Sequence, residues 1–338
     1  MLYITTRDKH DTHTANKTLT SDRAADGGLY LPRSMPHLSG QDLSGLRSKT
    51  FNETFALLIN AFFSTQLTGW DVDFSIGRNP VSVVPTGRKI LVAQTWRNPE
   101  RKYAYIENHI FKILCKGVSE TDEPTPWLKI AVRIALIFSI YGQLLQAGHL
   151  HPGQKFDIAV DADDYISAIA VFYAAEIGLP LGKLICGCDD TEALWDFAHL
   201  GEVGTASVSG GLSCIVERLI HAAFSADEVQ RFLEACRNRG SYRIPDAEEN
   251  TLTETLFCVV VGKARVSSVT NSYYRTDDFL LDASAARSFG AVQDYRAKTG
   301  SSNLTLLFSD RHPVLEPDFI MNATGLSQSA FFNKCKTI

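Results

Sequence analysis

An acidic cluster, Asp161-Ala162-Asp163-Asp164, directly follows a strand-like apolar run at residues 156–160. Loops at the carboxyl ends of parallel strands are where α/β proteins usually place their sites. Carboxylate oxygens at this spacing could hold Mg²⁺ and serve phosphoryl transfer. The alternative is a solvated loop at a helix N-terminus, where acidic side chains are favoured. The sequence therefore offers Asp161, Asp163 and Asp164 as candidate metal ligands.

A second candidate is the run Ser207-Val208-Ser209-Gly210-Gly211, which precedes a helical pattern. Backbone N–H groups of Ser207, Ser209, Gly210 and Gly211 could bind an anion there. An ordinary turn is the alternative. The sequence contains no Gly-x-Ser-x-Gly elbow, no His-Glu-x-x-His and no Gly-x-x-x-x-Gly-Lys-Ser loop. It therefore lacks the motifs of α/β-hydrolases, of zinc metalloproteases and of P-loop nucleotide-binding proteins.

The elements that must position these residues alternate along the chain from residue 88 onward. Such alternation favours a parallel-rich sheet flanked by helices, so the sequence predicts an α/β fold. A capping box at Thr50 and Glu53 begins a helix before this region, and residues 1–40 look polar and loop-like. The expected strands are 90–92, 156–160, 183–188, 257–261 and 304–308, and the expected helices include 102–115, 128–146, 167–177, 191–199 and 225–236.

Composition narrows the partners and the location. The 338 residues carry a net charge of -5, which does not favour nucleic acid or an anionic membrane as partner. Seven scattered cysteines without a CxxC pair argue against a disulfide framework or structural zinc and suit a reducing cytosol. The most apolar stretch, 127–141, contains Lys129 and Arg133 and predicts a buried core helix. We therefore expect a soluble cytoplasmic protein.

Several stretches together resemble threonine synthase, a pyridoxal-phosphate enzyme of fold type II, the tryptophan-synthase-β type. They are the N-terminal run from Ser21 to Pro32, the segment from Phe172 to Ile185, and Glu217-Arg218-Leu219. The resemblance covers most of the chain in the family's order. It implies a threonine-synthase-like N-terminal region at 1–88 and a remnant of the pyridoxal-phosphate enzyme core at 89–338.

The resemblance also implies a Schiff-base lysine. The family carries this lysine in a His-Gly-Pro-Thr-x-x-Phe-Lys-Asp segment, and the matching run here, from Thr95 to Tyr103, retains only Lys102. Lys102 is therefore the candidate for an aldimine with pyridoxal phosphate, which needs an amine of lowered pKa. An active chain would be a pyridoxal-phosphate-dependent carbon–oxygen lyase of the threonine synthase type.

Other parts of the family pattern are lost. The family's phosphate loop, Thr-Gly-Asn-Phe-Gly-Asp, corresponds to the run from Ala162 to Ser167, where both glycines are replaced and carboxylates appear. Only 26 residues separate Lys102 from Lys129, which is too few for the family's smaller domain. The family's Asp-Pro-His-Thr near the C-terminus is Asp282-Ala283-Ser284-Ala285 here. Each loss weakens the case for bound pyridoxal phosphate.

These observations support a main hypothesis and two alternatives. The main one is a truncated, degenerate threonine-synthase-like pseudoenzyme that has lost the cofactor and is kept for ligand or protein binding. The first alternative is an active enzyme that uses Lys102, and the second is a metal-dependent site at the three aspartates. Loss of a domain would uncover apolar surface, so we expect a homodimer or a protein partner on that face.

Overall fold

A mixed sheet forms the centre of the structure, a computed structural model that describes residues 1–96, 103–115, 122–189, 198–199, 201–204, 211–244 and 254–337. The strands of this sheet and of two smaller ones are β1 (Leu2–Thr5), β2 (His13–Thr14), β3 (Tyr30–Pro32), β4 (Ser82–Thr86), β5 (Ile90–Gln94), β6 (Phe156–Asp161), β7 (Leu181–Cys188), β8 (Glu202–Gly204), β9 (Ser241–Arg243), β10 (Leu256–Val260) and β11 (Thr305–Ser309). The helices are α1 (Ala15–Thr20), α2 (Gly40–Gly45), α3 (Phe51–Phe63), α4 (Gly69–Ile76), α5 (Tyr103–Leu114), α6 (Pro126–Gln146), α7 (Tyr165–Ile177), α8 (Gly211–Ala223), α9 (Ala226–Arg239), α10 (Lys263–Asp277), α11 (Ala283–Thr299), α12 (Pro317–Thr324) and α13 (Gln328–Cys335).

The order of strands in the central sheet decides which loops meet. Among the described residues the order is β10-β7-β6-β11-β5-β4, with every neighbour parallel except the edge strand β4. The last strand along the chain, β11, lies between β5 and β6, so Leu306 pairs with both Leu91 and Ile158. The carboxyl ends of parallel strands share one edge of the sheet. Residues that follow β5, β6 and β11 therefore come together there.

Helices cover both faces of the central sheet, as strands that are apolar on both faces require. On one face α6 packs against α3 and α7, and Phe138 and Tyr173 belong to the core there. On the other face α11 packs against β6, β7 and β11, with α10 beside it, and Phe289 and Val269 belong to a second core cluster. The expected α/β fold with a parallel-rich sheet flanked by helices is confirmed.

The helix α6 is buried along most of its length because its neighbours surround it. Within the described residues it is the one helix long and apolar enough to cross a membrane, yet 89% of its most apolar window is buried inside the protein. Thr125 caps its N-terminus and Pro126 occupies the first turn, where proline costs no hydrogen bond. The buried core helix predicted at 128–146 is confirmed.

The expectation of a loop-like segment over the first forty residues was wrong. Strands β2, β1 and β3 form an antiparallel sheet there, and the side chains of Tyr3 and Tyr30 are buried. The Tyr3 hydroxyl donates to the carbonyl of Phe62 at 2.7 Å and accepts from Trp127 Nε1 at 3.1 Å. A few apolar side chains that pack on α3 and α6 stabilise the segment. The polar residues between them masked the alternating pattern by which these short strands could have been predicted.

The other predicted elements agree in kind and differ at their ends. The capping box of Thr50 and Glu53 is present at the start of α3. Strand β7 begins at Leu181, two residues before the predicted start, and α7 begins at Tyr165. The edge strand β4 was not predicted. The helix predicted at 191–199 lies outside the described residues, apart from 198–199.

Candidate functional site

A polar cleft lies where the carboxyl ends of β5, β6 and β11 meet. Its volume is about 360 Å³, which is within the range of small-molecule sites. The lining side chains are mostly charged and come from α5, α6, the loop after β6, α11 and the segment after β11: Tyr103, Arg133, Asp161, Asp163, Asp164, Ala283, Ser284, Arg287, Asp310, Arg311 and Glu316. The acidic cluster that follows β6 therefore lies in this cleft.

Asp161, the last residue of β6, is held by an arginine from the opposite layer. Nη1 of Arg287 on α11 donates to both of its carboxylate oxygens, at 3.0 and 3.1 Å. The same guanidinium lies 3.4 Å from Asp163 and 3.8 Å from Asp189. Burial raises the pKa of Asp161 to about 6, and the adjacent Arg287 charge opposes that rise. Asp161 and Arg287 therefore satisfy each other, and the carboxylate is not free to bind a cation.

Asp164 caps the helix that follows. Its carboxylate accepts from the backbone N–H of Ser167 at 3.2 Å and from the Ser167 hydroxyl at 2.6 Å. Unpaired N–H groups at a helix N-terminus are the donors that a phosphate group would use. In this chain the carboxylate of Asp164 already accepts from the N-terminus of α7, and it places a negative charge there.

A buried arginine on α6 completes the charge balance. Arg133 donates from Nε to Glu107 at 3.0 Å, and its Nη1 lies 3.8 Å from Asp164. Its guanidinium also lies over the ring of Tyr103. Because Glu107 is itself buried, this pair is closed off from water, and Arg133 has little positive charge to offer a ligand.

Two further carboxyl groups lie close together, Asp310 in the lining of the cleft and Asp282 behind it. Asp282 is buried, caps α11 through the N–H of Ala285 at 2.8 Å, and accepts from the Ser309 hydroxyl at 2.5 Å. Burial, reinforced by the charge of Asp310, raises the pKa of Asp282 to about 8. Burial also raises the pKa of Asp310, whose Oδ1 has no hydrogen-bond partner. One proton is therefore retained near these two carboxyl groups at neutral pH.

The predicted site residues have different outcomes. Lys102 lies outside the described residues, but the next residue, Tyr103, begins α5 and lines the cleft. Three of the four residues proposed to bind an anion, Ser207, Ser209 and Gly210, also lie outside the described residues. The fourth, Gly211, begins α8.

The three aspartates proposed as metal ligands all line the cleft. Asp161 pairs with Arg287, Asp164 caps α7, and Asp163 is largely exposed. In the part of the chain that the structure describes, no group of three or more His, Cys, Asp or Glu side chains is arranged to hold a metal ion. The geometry therefore gives the metal hypothesis no support.

The sequence interpretation missed the arginines. Arg133 had been noted only as a charge that breaks an apolar helix, although a charge in a buried helix requires a partner. That rule could have identified it as a cleft residue. Arg287 follows Asp161 by 126 residues, and no local pattern connects the two.

Pyridoxal phosphate, which the resemblance implies, does not fit the described residues in the family's pose. Its phosphate would need free N–H donors and a neutral or positive surface after β6. The structure places Asp164 on those donors and Asp163 beside them, while Arg133 and Arg287 are already paired with Glu107 and Asp161. The described cleft thus lacks a phosphate site.

Comparisons with known proteins agree with the resemblance. Residues 2–77 match the family model described as the threonine synthase N terminus. Threonine synthase-like 1 from Pongo abelii and from Homo sapiens are each 20% identical over 172 residues, which cover 47% of this chain and 23% of the relative. The match thus spans about a quarter of the length of these curated relatives.

Solved structures of threonine synthases share the fold. The pyridoxal-phosphate-bound enzyme from Brucella melitensis superposes with a TM-score of 0.80 at 15% identity, over 99% of this chain and 94% of that one. The yeast enzyme gives 0.80 at 14% identity, over 100% of this chain and 94% of that one. The N-terminal match, the curated relatives and the shared fold support the resemblance of this chain to the threonine synthase family.

Proposed function

We propose that this chain is a threonine-synthase-like pseudoenzyme, which does not convert O-phosphohomoserine to threonine and keeps the fold to bind a ligand or a protein. One observation carries the proposal. The carboxylate of Asp164 occupies the N-terminus of α7, where the resemblance puts the loop that holds the cofactor phosphate. A phosphate group at this position would lie beside a negative charge. The backbone N–H of Ser167, which could otherwise bind it, already donates to Asp164.

The electrostatic cost supports this proposal. A carboxylate about 4 Å from a phosphate charge costs on the order of 4 kcal/mol at an effective dielectric near 20. Two such carboxylates, Asp163 and Asp164, lie in the loop and cap that follow β6. Arg287, 3.4 Å from Asp163, and Arg133, 3.8 Å from Asp164, offset part of this cost. Neither is free for a phosphate, because Arg287 also pairs with Asp161 and Arg133 with the buried Glu107.

The rest of the cleft also departs from what the resemblance requires. The interval between Lys102 and Lys129 holds 26 residues, whereas domains run to roughly 50 or more. Asp282, at the position of the family's Asp-Pro-His-Thr, is buried as the cap of α11 and bonded to Ser309.

An absorbance experiment tests the proposal directly. The purified protein is incubated with pyridoxal phosphate, freed of excess, scanned in the visible range, reduced with borohydride and mapped by peptide mass. We expect no aldimine band and no label on Lys102. The variants Lys102→Ala and Lys112→Ala, the latter an exposed lysine of α5, separate specific from random labelling. A band that disappears only in Lys102→Ala would overturn the proposal.

One observation favours the alternative of an active lyase. Tyr103, which directly follows Lys102 in the sequence, lines the cleft. An assay for threonine formed from O-phosphohomoserine, with pyridoxal phosphate added, distinguishes the two. Turnover at enzyme-like rates that is lost in Lys102→Ala would establish the active enzyme, and no turnover is expected on our proposal.

A further inference from the structure

Away from the cleft, two cavities share one wall. The first, of about 610 Å³, lies between the start of β4, the end of β5 and the end of α6. The second, of about 620 Å³, lies between α3, α4 and the same end of α6. Asn79, Gln143 and Gln146 line both. We call the combined space the amide groove, and each half has the volume of a small-molecule site.

Each half of the amide groove holds a buried carboxamide with an unpaired atom. Gln94, which lines the first cavity, is 5% exposed, and its Nε2 has no hydrogen-bond partner. Asn52, which lines the second, is 4% exposed; its Nδ2 donates to the Gly77 carbonyl at 3.0 Å, but its Oδ1 has no partner. A buried polar atom without a partner costs about 1–3 kcal/mol. The groove thus has one donor and one acceptor that a ligand could satisfy.

The groove carries little net charge. The side chains lining its first half include no Asp, Glu, Lys or Arg. In the second half, Glu53 is committed to the cap of α3, where it accepts from the Thr50 N–H at 2.8 Å. Asp73 and Arg78 lie 3.7 Å apart and offset each other. A ligand with phosphate, carboxylate or ammonium groups would find no counter-charge here.

An exposed aromatic side chain lines the second half of the groove. Trp70 on α4 lines the second cavity and is 78% exposed, an unusual position for so large an apolar side chain. Hydroxyl groups can both donate and accept, so they match Gln94 and Asn52 at once, and the C–H face of a sugar ring can pack on an indole. We propose that the amide groove binds a short uncharged oligosaccharide.

The amide groove shares no lining residue with the polar cleft. This inference therefore does not depend on whether the cleft binds pyridoxal phosphate. Its test uses the full chain and neutral tetrasaccharides of glucose, xylose, mannose and N-acetylglucosamine, with adenosine as a planar, hydrogen-bonding comparison. Saturation-transfer NMR identifies any probe that binds, and calorimetry gives its affinity.

Two exposed side chains of the groove provide the variants. Trp70→Ala and Gln146→Ala remove the aromatic face and one shared amide without disturbing the core. Phe74→Ala, on the same helix as Trp70 and 87% exposed, lies outside the groove and is the matched control.

We expect at least one tetrasaccharide to bind. Trp70→Ala and Gln146→Ala should each lower the affinity for that tetrasaccharide about tenfold, which corresponds to about 1.4 kcal/mol. Phe74→Ala should leave the affinity unchanged. Absence of saturation transfer to all four tetrasaccharides overturns the inference. So does binding of adenosine alone, or sugar binding that Trp70→Ala and Gln146→Ala leave intact.

Discussion

Nη1 of Arg287 lies 3.0 Å from a carboxylate oxygen of Asp161, which ties the end of β6 to the second turn of α11. The salt bridge lies directly before residues 162–167, the run that the resemblance aligns with the family's phosphate loop. Both side chains are largely buried, so each depends on the other for its charge balance. On the proposed function, this contact stabilises the fold and no longer serves a cofactor site.

Replacement of Arg287 should destabilise the protein. Arg287→Ala leaves Asp161 buried without its partner, and loss of one member of a buried ion pair costs about 3 kcal/mol or more. Urea unfolding followed by circular dichroism measures the change in the free energy of unfolding. Arg311→Ala, an exposed arginine at the same cleft, is the control and should change it by less than about 0.5 kcal/mol. Equal effects of the two variants would contradict the argument.

Asp282 should make stability depend on pH. Its pKa is raised to about 8 in the folded chain, mainly by burial, and is about 3.9 in an unfolded chain. Between these values the folded state holds the extra proton, so the free energy of unfolding decreases as pH rises through this window and levels off above it.

The variant Asp282→Asn isolates this effect, because it keeps a side-chain acceptor for the cap of α11 and cannot titrate. Urea unfolding at pH 5 and pH 7 should show the original protein losing stability relative to the variant, on the order of 1 kcal/mol per pH unit. Two pH profiles that run parallel would rule out a raised pKa at Asp282.

The cap at Asp164 should contribute measurable stability. Asp164→Ala removes the acceptor for the Ser167 N–H, and loss of such a cap typically costs about 1 kcal/mol. Asp163→Ala is the matched control, because that side chain is 74% exposed and caps no helix. Thermal unfolding should separate the two variants by about 1–2 °C. If Asp163→Ala is the more destabilised, Asp164 does not hold α7 as described.

The sequence predicted the class of the fold and the place of the acidic cluster better than it predicted the contacts of that cluster. Apolar runs of strand length identified β6, β7 and β11, and the rule about strand ends put Asp161 at the edge of the sheet. The sequence did not predict that β11 lies beside β6, or that α11 brings Arg287 to Asp161. Both contacts depend on pairing between distant segments of the chain. The strands around Tyr3 were missed because their stability comes from docking on α3 and α6.

The central position of β11 has a consequence for how the chain reaches this structure. During synthesis β5 and β6 emerge long before residues 305–309, yet they pair through β11 and not with each other. Pairings across so many residues are slow to form, and until they form two apolar strand edges stay open to other chains. A nascent or C-terminally shortened chain should therefore need protection from aggregation, and the middle of the sheet should be the last part to close.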